Sequence, residues 1–265
     1  MKFQLKALAA AAILAASIPA QAALTLPNTG NGSTILVIID SVANLTATYD
    51  LGLHYSDFNQ IASAGALGTQ GSFSANLATD ANYSATWAAF TANGGSLANA
   101  QYAFITADNL GAGAGAQGYI TSFASAGAAT QTSAPIGTAV GSLNTVLGNI
   151  DFLGTLQSNM NTSAASGAAL NSGAIAGVYN TGKLGNTGNF IFANLGTTMG
   201  LSQYVLGASV VAQAGKALFP TTTSLSLLSN GQFSYTVAAV PEANTWAMMM
   251  LGLGFMGFVA RRKQA

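Results

Sequence analysis

At 265 residues the chain is long enough for one sizeable domain or two small ones. Charged residues make up 5% and hydrophobic residues 50%, so low charge does not mean disorder, which pairs low hydrophobicity with high charge. A net charge of zero with no basic patch argues against nucleic-acid binding, and the absence of Cys excludes disulfides, thiolate metal sites and Cys nucleophiles.

In chain order, Lys2 and Lys6 precede an apolar run over residues 7–16, which Ser17, Ile18 and Pro19 break. A charged start, a short apolar stretch and the small-x-small triplet Ala20-Gln21-Ala22 follow the order of a secretory signal. Signal peptidase is expected to cut after Ala22, leaving residues 23–239 as the exported domain. That domain sets Lys183 and Lys216 against Asp40, Asp50, Asp57, Asp80, Asp108 and Asp151, a formal charge of −4. Ala, Gly, Ser, Thr and Asn fill the gap, which predicts a neutral surface rich in hydroxyl and amide groups.

The run Ile35-Leu36-Val37-Ile38-Ile39 reads as a strand buried on both faces. Residues 48–55 alternate, with Tyr49, Leu51, Leu53 and Tyr55 on one face and Thr48, Asp50, Gly52 and His54 on the other. Strands are expected over 83–91 and 101–107, flanking the turn signal Asn93-Gly94-Gly95, and a short helix over 119–128. Ile136, Val140, Leu143, Leu147, Ile150, Leu153, Leu156 and Met160 recur at helical spacing, and Pro135 suits a first turn. Further strands are expected over 174–179, 190–194 and 204–211. Residues 224–237 read as a hairpin with a two-residue type I′ turn at Asn230-Gly231 and Phe233, Tyr235 and Val237 on one face. The expected fold is α+β, mostly β and sandwich-like, with a helical insert; without a fixed repeat period a solenoid is unsupported.

The C-terminal segment opens on Val240-Pro241-Glu242, continues through Ala243-Asn244-Thr245-Trp246, and closes on Arg261-Arg262-Lys263. Residues 246–260 form an uncharged stretch of 15. As a helix it is roughly 22 Å long, short for a hydrocarbon core of ~30 Å. Trp246 suits one interface, and Arg261, Arg262 and Lys263 suit the cytoplasmic side, which places the preceding chain outside.

This segment resembles the PEP-CTERM sorting signal of Gram-negative bacteria. Val240, Pro241 and Glu242 match its motif, as do Thr245-Trp246-Ala247-Met248 and Arg261-Arg262, while Ala243 stands where the family usually has a second Pro. The resemblance covers residues 240–265 only. It implies recognition and cutting by an exosortase, an inner-membrane intermediate, and association with extracellular polysaccharide. Tails of this type are sometimes labelled ice-binding C-terminal domains; Thr221-Thr222-Thr223 is a run and not the alternating ladder that ice binding would need.

Catalytic material is sparse. His54 is the single histidine, and with Asp40, Asp50 and Asp57 it forms the one cluster of catalytic or metal-binding type. Asp50 and His54 share a strand face but lie about 13 Å apart along it, beyond hydrogen-bond reach. The spacing Gly113-Ala114-Gly115-Ala116-Gln117-Gly118 fits a dinucleotide loop, yet no acid stands near twenty residues on to hold a ribose. No Gly-x-Ser-x-Gly elbow, phosphate-binding Walker loop or metalloprotease helix occurs. Asn31, Asn44, Asn82 and Asn161 sit in glycosylation-type triplets that read as accidents of composition. The expectation is a non-enzymatic exported surface or matrix protein without a cofactor. The alternatives are a carbohydrate- or ice-binding module and a secreted hydrolase, which several Asp converging in one cleft would favour.

Overall fold

The computed structural model describes residues 24–111, 117–123, 168–172, 192–207, 215–220 and 223–237. Among these residues the protein is mostly β, built from two antiparallel sheets and few helices. The expected signal segment, the helical insert at 136–160, the strand at 174–179 and the tail from 240 lie outside the described residues.

Strand β1 (Ser33–Asp40) is buried along its whole length, as its unbroken apolar run predicts for a central strand. It pairs antiparallel with β2 (Leu45–His54) on one side and β4 (Gln101–Asp108) on the other. Beyond β2 lies β6 (Ala168–Ser172). Beyond β4 come β5 (Gly118–Phe123), β8 (Gly200–Val205) and β9 (Gly215–Leu218), while the two-residue β7 (Ala193–Asn194) pairs with the start of β4. The second sheet orders β10 (Thr223–Leu227), β11 (Gln232–Val237) and β3 (Phe73–Asn76). A bridge between Met199 and Leu225, with reciprocal backbone bonds of 2.8 Å, ties its edge to the large sheet.

The two sheets meet over an aromatic core, and the mostly-β reading is borne out. Phe104 of the large sheet stacks on Phe233 of the small one, with centroids 6.4 Å apart. Phe58, on the single-turn helix α1 (Tyr55–Phe58), meets Phe104 at 5.2 Å and Tyr235 at 5.4 Å, both edge-on. Each buried ring contributes roughly 1.5–3 kcal/mol through area removed from water, and edge-on pairs add about 0.5–1.5 kcal/mol. Leu225, Leu227, Phe233 and Tyr235 point inward, so the hairpin's alternation is legible in its sequence.

The opposite face of the small sheet carries hydroxyls and amides with no ionisable group. Ser226 stands opposite Ser234, Ser234 opposite Ser74, Gln232 opposite Asn76 and Ser224 opposite Thr236. The Ser226 and Ser234 hydroxyls bond each other at 2.9 Å.

Three local expectations are corrected. Residues 83–91, expected as a strand, fold as helix α2 (Ser84–Ala92), because Tyr83, Trp87 and Phe90 recur at helical spacing onto the core and the intervening alanines favour helix. Asn93-Gly94-Gly95 then ends a helix, with the Gly95 N–H on the Phe90 carbonyl. The start of the expected helix at 119–128 is strand β5, where Tyr119, Ile120 and Thr121 sit between β4 and β8 and sheet pairing overrides weak helical spacing. The hairpin turn is not type I′. Only Gly231 has positive φ, at 84°, and it donates to the Leu228 carbonyl while Leu228 donates to Gln232. That is a three-residue loop closed by a glycine bulge, which needs one left-handed residue instead of two.

Candidate functional site

The acids around His54 are each engaged in their own local hydrogen bonds. Asp40 sits at the far end of β1, where one carboxylate oxygen accepts the Val42 and Ala43 N–H groups and the other the Ser96 N–H. Burial opposes its ionisation, but these three donors outweigh that and hold its pKa below the ordinary value. Asp50 is buried on β2, accepting from the Ser33 hydroxyl at 3.2 Å and the Gly52 N–H at 2.9 Å. Burial pushes its pKa up to about 6, against the pull of those two donors and of His54. His54 and Asp57 cap α1 reciprocally, and the Asp57 carboxylate accepts the His54 backbone N–H at 2.8 Å. Among the described residues no three His, Cys, Asp or Glu side chains gather as a metal site. The glycine-rich loop leads into β5, antiparallel to β4, so its strand–loop–helix context is absent.

The structure does assemble a cleft of about 290 Å³ that no sequence motif announces. Its lining includes Asn31, Tyr55, Ser56, Asp57, Asn59, the stretch 64–69 and Asp108. Asn31, at φ 53°, links two walls: its N–H donates to Asp108 at 3.1 Å, and its side-chain carbonyl accepts the Ser56 N–H at 2.7 Å. The second Asp108 oxygen accepts the Leu110 N–H at 2.9 Å. The third wall is a loop pinned by Gly68 N–H to the Asn59 carbonyl at 2.8 Å, Gln70 N–H to the Asp57 carbonyl at 3.1 Å, and the Asn59 amide to the Ala66 carbonyl at 2.8 Å.

Beneath the cleft, Gln203 of β8 is fully buried. Its amide donates to the Tyr55 hydroxyl at 2.5 Å and to the Asn59 side-chain carbonyl at 2.7 Å, and its carbonyl accepts the Gln60 N–H at 2.6 Å. Burial raises the Tyr55 pKa, the Gln203 bond opposes this, and the negative charge of Asp108 adds to it. Among the described residues Lys216, on β9, is the one lysine or arginine, so no cation lines the cleft.

Gly68 sets how closely the loop approaches α1. A Cβ there would lie 2.2 Å from the Asp57 carbonyl oxygen and 2.7 Å from the Asn59 nitrogen, both backbone atoms held by the bonds above. A Gly68→Ala substitution is expected to cost about 1–3 kcal/mol and to release the loop. Limited proteolysis should then cut near Leu67, which is 58% exposed, well before the wild type is cut; an unchanged digestion pattern would contradict this.

The remaining expected site residues, Ala20, Ala22, Val240, Pro241, Glu242, Trp246, Arg261, Arg262 and Lys263, lie outside the described residues. β11 ends at Val237, and residues 239–263 match the family model of the PEP-CTERM protein-sorting motif. The chain carries a PEP-CTERM sorting tail. The match confirms the family read from Val240-Pro241-Glu242 and the terminal arginines, with Ala243 tolerated inside it. A PEP-CTERM tail implies export, sorting to the cell surface and processing by an exosortase-like enzyme. The match spans 25 of the 265 residues, so it speaks for the route of the chain and not for the chemistry of the domain ahead of it. No curated protein and no solved structure matches the chain. No helix among the described residues is long and apolar enough to cross a membrane, and the expected span at 246–260 lies outside them.

Proposed function

We propose that this PEP-CTERM protein is a non-enzymatic component of the extracellular polysaccharide layer, held briefly at the inner membrane before its tail is cut. The sorting motif at 239–263 carries this reading. The uncharged hydroxyl and amide face of the small sheet supports it, because such a face hydrogen-bonds neutral glycans and water without selecting for charge. The engagement of His54 and Asp57 in a helix cap supports the non-catalytic part.

A hydrolase is the second reading, since Asp57 and Asp108 do border one cleft. Both Asp108 oxygens accept backbone N–H groups, which suits a structural or binding acid better than a proton donor. The deciding experiment compares a chain lacking residues 241–265 with a His54→Ala variant in the native host. The truncated chain should fail to reach the surface and lose the biofilm phenotype, while His54→Ala should keep both. An essential His54 with a dispensable tail would reverse the conclusion.

A further inference from the structure

We infer that the cleft between α1, the 59–70 loop and the end of β4 binds one sugar residue of a neutral glycan through paired hydroxyls. This rests on the polysaccharide reading above and adds to the small-sheet face a site that holds a single sugar. The cleft volume, about 290 Å³, is near the lower bound of small-ligand sites, which begin at roughly 300 Å³. Its polar groups are mixed: the Asp57 and Asp108 carboxylates accept, while the Ser56 and Thr69 hydroxyls and the Asn31 amide can both donate and accept. Sugar hydroxyls, which donate and accept alike, match such a mixed set.

Charge narrows the class further. Two carboxylates with no lysine or arginine among the described residues of the lining repel a uronate or sulfated sugar and favour an uncharged one. Leu67, 58% exposed at the rim, offers an apolar surface for the C–H face of a ring. The walls are preorganised: the loop is pinned to Asp57 and Asn59 by backbone bonds, and Gln203 locks Tyr55 and Asn59 from below. Little ordering entropy is then lost on binding.

The test uses the full chain in a zwitterionic, sugar-free detergent, titrated with cellotetraose, maltotetraose and tetragalacturonate while ligand NMR signals are followed. Saturable binding of at least one neutral tetrasaccharide is expected, with the acidic one weaker by about tenfold or more. Thr69→Trp, at an exposed position in the lining, should fill the cleft and weaken neutral binding by at least about tenfold. Leu218→Trp, on exposed β9 outside the lining, should leave it unchanged and serves as the folding control. No saturable binding of either neutral sugar, preferred binding of the acidic one, or full binding by Thr69→Trp would overturn the inference. The two readings fail separately. Wild-type and Thr69→Trp chains that cofractionate equally with the host polysaccharide defeat the cleft alone. A wild-type chain that never cofractionates defeats the function proposed above.

Discussion

A Gln203→Leu variant is expected to lose about 3–5 kcal/mol of stability, enough to leave a marginal domain partly unfolded. The glutamine is fully buried, and its three bonds satisfy the Tyr55 hydroxyl, the Asn59 side chain and the Gln60 N–H. Leucine keeps the approximate volume but strands the Tyr55 hydroxyl and the Gln60 N–H, where each unpaired group costs roughly 1–3 kcal/mol, while the Asn59 carbonyl keeps the Ile61 N–H at 3.2 Å. Trp87 reports the transition, because it is 8% exposed in the core and moves to water on unfolding. Urea titration followed by its fluorescence should show a much lower midpoint. A loss under about 1 kcal/mol would mean that water replaces the glutamine and that the network is not the keystone beneath the cleft.

Asp50→Asn should stabilise the protein at pH 8 and barely change it at pH 4. Burial raises the folded-state pKa of Asp50 from 3.8 to about 6. Between those values the folded state holds the proton more tightly than the unfolded state, so stability falls as pH rises from about 4 to about 6 and then levels off. The full shift corresponds to about 3 kcal/mol at neutral pH, an upper figure because the structure relaxes around the charge. Asparagine mimics the protonated acid: its carbonyl can accept the Gly52 N–H and its amide can donate to the Ser33 oxygen. Chemical unfolding at pH 4, 6 and 8 should give a falling curve for the wild type and a flatter one for the variant. Parallel curves, or a variant weaker at pH 8, would show that the charged form is well accommodated.

The legible parts of this fold are those whose signal is local. The run at Ile35-Leu36-Val37-Ile38-Ile39 announces a strand buried on both sides, and it forms the centre of the large sheet. Phe233 and Tyr235 alternate with Ser234, and this hairpin packs them inward as read. The hairpin's turn was harder, because Asn-Gly serves a two-residue loop and a glycine-bulge loop alike, and strand register selects between them. Residues 83–91 are ambiguous for a similar reason. Tyr83 and Trp87, four apart, share a face in either period, and the tie is broken by Tyr49 of β2, against which the Tyr83 ring packs edge-on at 5.7 Å.

By itself the sequence determined the sorting of this protein, since the motif at 239–263 is a linear address that needs no tertiary partner to be recognised. It also determined how sparsely charged the domain ahead of the tail is, because composition leaves few charges to place. Only the tertiary structure decided where a ligand could sit. Asn31 and Asp108 bond across 77 residues of sequence, and Gln203 reaches Asn59 across 144. No spacing rule links positions so far apart. Their meeting follows from the register in which β1 pairs with β4 and β5 with β8, a global property of the sheet that no local window contains.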